Sequence, residues 1–125
     1  MASQETQISF TTTEGTWVSL DVAPDGKSLV FDLLGDVYAL PLDGGRARPI
    51  LTGRAFQSQP RLSPNGRLIT YVSDESGTDN IWIAKADGSM PSQITNRAAS
   101  TMISPAWSVD GSEIYVTVIS LKGFS

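Results

Sequence analysis

Apolar residues in this chain come in short runs, each closed by glycine, proline, aspartate or asparagine. Helical periodicity is sustained nowhere over ~10 residues, so helix content is expected to be close to nil. The clearest stretch is 63–95. It opens with Ser63-Pro64-Asn65-Gly66, where Pro64 presets φ for the first inner position of a type I turn and Asn65 and Gly66 tolerate the left-handed conformation. Leu68, Ile69, Tyr71 and Val72 follow, rich in β-branched and aromatic residues and apolar on both faces, as in a strand covered on both sides. A polar stretch over 73–80 holds Gly77, and the next run is Ile81, Trp82, Ile83 and Ala84. Asp87-Gly88 is a further hairpin signal, followed by a short run ending in Ile94-Thr95. The unit predicts an antiparallel meander of short strands.

Imperfect copies flank it. Upstream, Ala23-Pro24-Asp25-Gly26 matches Ser63-Pro64-Asn65-Gly66, Val37-Tyr38-Ala39-Leu40 matches Ile81-Trp82-Ile83-Ala84, and Asp43-Gly44 matches Asp87-Gly88. Downstream, 104–111 matches 58–66, and Ile114-Tyr115-Val116 repeats the strand after the turn. The turn glycines fall at 26, 66 and 111, spaced 40 and 45 residues apart. Four strands in such a period are the mark of a propeller blade. The expected fold is therefore all-β: a partial β-propeller of four-stranded antiparallel blades, two full and about half of a third.

As a single incomplete propeller domain over 1–125, the chain divides into a lone edge strand at 7–13, blade 1 at 17–52, blade 2 at 57–95 and the first half of blade 3 at 103–119. A closed propeller uses at least four blades, about 160 residues at ~40 per blade. Ring closure is expected to need further chain or further copies. The run 114–121 carries no charge and no proline, the composition of an edge that requires a covering strand.

Ser-Pro-Asn-Gly-Arg at 63–67, Ser-Asp-Glu-Ser-Gly at 73–77, Asn-Ile-Trp-Ile at 80–83 and Ala-Asp-Gly-Ser at 86–89 resemble the TolB-type propeller repeat, also found in tricorn-like and prolyl-oligopeptidase-related proteins. The wording at 13–22 and 31–36 is similar to the opening of the TolB-like propeller that precedes an amidohydrolase domain in large bacterial envelope enzymes. The resemblance implies the N-terminal part of a longer TolB-like, amidohydrolase-related protein, in the periplasm or secreted. No signal peptide is legible in this chain.

Net charge is −4 and the pI about 4.6, with the basic residues scattered. Nucleic acid and membrane insertion are therefore not expected, since the first needs a basic stripe and the second a long apolar span. The chain has no cysteine and no histidine. That removes thiolate sites, the Ser-His-Asp triad and imidazole ligands from this chain. No catalytic, cofactor-binding or metal-binding residue is nominated, no cofactor is expected, and ligand-binding residues are left unassigned. Amidohydrolase chemistry, if the resemblance holds, belongs to another part of the parent.

The oxygen-rich segment 74–80 departs from a calcium-loop pattern, with Asp79 where glycine is required and Lys85 where the bidentate glutamate belongs. It reads as a hydrogen-bonded turn. Trp82 and Trp107 occupy repeat-matched strand positions and, with Trp17, read as packing residues before they read as a sugar platform. The expected role is a non-catalytic scaffold that binds a protein or peptide partner. The alternative is a self-assembling unit whose copies complete a ring around a small ligand.

Overall fold

The computed structural model describes residues 19–97 and 100–120. The strand expected over 7–13 and Trp17 lie outside them. Among the described residues ten strands form three antiparallel sheets and none is helical. The first sheet holds β1 (Leu20–Val22), β2 (Ser28–Leu33), β3 (Asp36–Pro41) and β4 (Arg48–Leu51) in chain order. The second repeats this with β5 (Gln57–Leu62), β6 (Leu68–Ser73), β7 (Asn80–Lys85) and β8 (Ser92–Gln93). The third is the pair β9 (Ser100–Trp107) and β10 (Ile114–Ser120). Each sheet is a meander in which strands pair only with their sequence neighbours, because tight turns leave no length for crossovers.

The sheets stack face to face, and the middle one is covered on both sides. Ile69, Tyr71 and Ala84 of the second sheet pack against Val30, Val37 and Leu51 of the first in one buried cluster. On the opposite face of the second sheet, Val72 and Ile81 meet Ile114, Val116 and Val118 of the third. This two-sided burial accounts for the apolar residues on both faces of β6, each stabilising the stack by about 2 kcal/mol. Sequential sheets joined only to their neighbours are propeller blades.

The turn between the first two strands of each blade occurs three times with one geometry. Gly26, Gly66 and Gly111 donate their N–H groups to Ala23, Ser63 and Ser108 carbonyls at 2.8, 2.8 and 3.0 Å. All three glycines have positive φ, 69°, 72° and 76°. Asn65 does not share that conformation; its Oδ1 instead accepts from Ser63 Oγ and Arg67 N. Asp25 and Asp110 brace their turns likewise, through Lys27 N and Ser112 N. Each turn rests on its predecessor, since a Cβ built on Gly66 would lie 3.7 Å from Pro24 and one on Gly111 3.5 Å from Pro64.

The innermost strands carry a bulge. Pairing of β5 with β6 shifts between Ser58 and Arg61, where Gln59 has φ 56°, and in β9 Ser104 has the same φ. Each is followed by a fully buried proline, Pro60 or Pro105, which needs no ladder partner. The repeat register therefore aligns Ser104 with Gln59, one residue beyond the Ser58 start read from sequence.

Candidate functional site

At the inner joint between blades 1 and 2, the buried Asp32 carboxylate accepts the N–H of Ser19 at 3.3 Å through Oδ1 and that of Gln59 at 2.7 Å through Oδ2. At the next joint, Gln59 Oε1 accepts the N–H of Ser104 at 2.6 Å. The two left-handed bulge residues, Gln59 and Ser104, thus each have the amide held by a side chain of the preceding blade. A non-glycine in that conformation costs about 1–3 kcal/mol and persists where its surroundings over-determine it. Burial pushes the Asp32 carboxyl above the usual aspartate range, opposed by the Gln59 and Ser19 amides and by the Arg61 charge.

Further bonds stitch the same rim. Leu62 N donates to Asp21 Oδ2 at 2.8 Å, Arg61 Nη1 to Ser19 Oγ at 3.1 Å, and Trp107 Nε1 to Arg61 O at 2.9 Å. Trp107 and Trp82 are half-buried, and Trp82 packs on the core between blades 1 and 2. Both act as joints between blades. The reading of 74–80 as a hydrogen-bonded turn also holds: Gly77 N donates to Asp74 O at 2.8 Å. Asn80 gathers that turn, its Nδ2 donating to Thr78 and Arg97 oxygens and its Oδ1 accepting from Thr95 Oγ1 and Arg97 N.

Two clefts open between blades 1 and 2, at opposite ends of the strands. At the end carrying the repeated turns, a cleft of about 540 Å³ has an apolar floor of Val30, Ala39 and Leu62, with Arg48, Asp25, Asn65 and Asp87 around it. At the other end, a cleft of about 350 Å³ is lined by Thr52, Arg54, Gln57, Asp74 and Glu75. The sequence did not single out Asp32, Gln57, Gln59 or Arg48. Nothing in a local motif marks them, because their partners lie in the neighbouring blade.

No family model matches the chain. It is 28% identical over 88 residues to Tricorn protease homolog 1 of Streptomyces coelicolor, covering 70% of this chain and 8% of that protein. To an uncharacterized protein of Agrobacterium fabrum it is 34% identical over 80 residues, 61% of this chain and 27% of the relative. Among solved structures, one assigned as TolB from Agrobacterium tumefaciens superposes with a TM-score of 0.75 at 27% identity, over 92% of this chain and 42% of that one. The tricorn protease gives 0.60 at 20% identity, over 86% and 11%. The chain thus spans about a quarter or less of the curated relatives it matches.

The fold is an open segment of a β-propeller. Its blades resemble those of the TolB and tricorn protease structures. At this coarse level the fold supports a scaffold role.

Proposed function

We propose that this chain is a non-catalytic stretch of a larger TolB-like protein and that it binds a protein or peptide partner along the turn end of its blades. The cleft bounded by Pro24, Leu62, Asn65 and Asp87 carries this reading. An apolar floor rimmed by Arg48 and by carboxylate and amide groups suits an extended peptide, whose side chains need pockets and whose main chain needs donors and acceptors. A photo-crosslinking residue at Asn65 is expected to give a discrete protein adduct in the native host that disappears with Arg48→Glu. An adduct formed only from Tyr115 would move the binding surface to blade 3 and defeat the proposal.

The amidohydrolase parent and the periplasmic or secreted location rest on the resemblance of 13–22 and 31–36. Sequencing the parent gene tests both: a leader and a histidine-rich metal-binding domain beside further blades are expected, and their absence rejects this parentage.

Self-assembly is a second reading, favoured by Tyr115 and Ile119, which stand 60% and 45% exposed on the outer face of β10. Light scattering would then show a fixed multiple of 13.4 kDa.

A further inference from the structure

We infer that the β2–β3 hairpin tip of blade 1 and the connection into blade 2 form a docking surface for a protein segment whose apolar side chains are flanked by lysine or arginine. The surface lies at the end of the strands opposite the repeated turns, so it goes beyond the proposed function and stands if that proposal fails. Leu34 carries the inference. It is the first residue of the two-residue turn between β2 and β3, its φ is 53°, and its side chain is 76% exposed. With Gly35 at φ 86°, both central positions of the turn have positive φ, a geometry that favours asparagine, aspartate or glycine at the first of them. A bulky apolar residue there strains the backbone and gains no burial in return. What it provides is an apolar side chain held out into solvent from a tight turn.

Phe56 makes the second half of the surface. Its ring, 57% exposed, rests on Gly35, where a Cβ would come within 2.7 Å of it. Gln57 N donates to the Gly35 carbonyl at 2.8 Å, which ties the connection to the tip. Phe56 N donates to Asp74 Oδ1 at 2.7 Å and Asp74 N donates back to Phe56 O at 3.3 Å, which ties the connection to blade 2. Two exposed apolar side chains are thus fixed on either side of one glycine, and little ordering is left to oppose association.

Charge selects the occupant. Asp36 directly follows the tip, and the exposed Asp74 and Glu75 stand where Phe56 is anchored, three carboxylates against Arg54 in the same connection. An acidic rim around an apolar pair repels an anionic lipid surface and attracts a polypeptide with basic residues beside its apolar ones.

The experiment is an amide NMR titration of the full 125-residue chain with the peptide acetyl-Lys-Leu-Leu-Lys-amide. Acetyl-Glu-Leu-Leu-Glu-amide and acetyl-Lys-Ser-Ser-Lys-amide are the controls for charge and for apolar contact. Saturable shifts confined to 34–36, 54–57 and 74–75 are expected from the first peptide and not from the controls. Leu34→Asn should weaken that response about tenfold, as the loss of one interface anchor does. The same substitution should raise Tm, because asparagine suits the turn that leucine strains, so weaker binding cannot be laid to misfolding. Vesicles of phosphatidylcholine and phosphatidylglycerol should leave the tip amides unmoved. An equal response to either control, no saturation, an unchanged midpoint in Leu34→Asn, a Tm that fails to rise, or tip shifts with the vesicles would each overturn the assignment.

Discussion

Asp32 and Gln59 meet across the joint between blades 1 and 2, the Asp32 carboxylate accepting the main-chain N–H of a residue whose φ is 56°. Gln59 then passes the same service to Ser104. Because burial raises the Asp32 carboxyl, its folded form holds the proton more tightly than its unfolded form. Its contribution to stability is therefore greatest below the unfolded value of 3.8 and declines as pH rises through the raised folded value. Asp32→Asn should lose stability relative to wild type at pH 3.5 and recover part of the difference toward pH 7, measured by urea unfolding. A difference that widens with pH would show that the ionised carboxylate is the favoured partner.

Asp110 has the opposite sign. The Ser112 hydroxyl and amide, with the Ser108 hydroxyl, hold it down at about 2. Stability from this turn is present above 3.8 and lost as pH falls through about 2. Asp110→Ala should be destabilising at pH 7 and neutral near pH 2 in the same assay.

Two turn glycines separate backbone strain from crowding. Gly66 has φ 72° and room for a Cβ, so Gly66→Ala should cost about 1–2 kcal/mol from conformation alone. At Gly88 a Cβ would overlap the Ile50 carbonyl of the neighbouring blade. Gly88→Ala should cost clearly more, and equal losses in thermal unfolding would mean that the blades part there at little expense.

Asn80 is 0% exposed and serves both the 74–80 turn and the exit from blade 2. Asn80→Ala removes hydrogen bonds to Thr78, Thr95 and Arg97 at one buried site and should cost about 2–4 kcal/mol. Hydrogen exchange should show the loss concentrated at Ile81 and 95–97.

Ile119 lies on the open face of β10. Ile119→Lys should change monomer stability by less than about 0.5 kcal/mol while raising the concentration at which the chain self-associates. Unchanged association in light scattering would show that this face plays no part in it.

Much of the fold was legible because its signals are local. The Pro24 and Pro64 turns, the glycines at 26, 66 and 111, and the two-faced run at 68–72 each announce their geometry within a few residues. The clefts were not legible. Gln57 and Gln59 look like ordinary polar residues before Pro60, and their meaning comes from Gly35, Asp32 and Ser104, which lie in other blades. Asn65 was half legible: its turn was right, but it acts through its side chain and leaves the left-handed conformation to Gly66.

The proline of one turn rests against the glycine of the next, Pro24 on Gly66 and Pro64 on Gly111. This contact works like the shim between staves of a barrel. A side chain larger than a methyl at either glycine would press on the turn before it. Such bulk would fall on the seam between blades and not within either one, so the rim is where neighbouring blades limit each other's side chains.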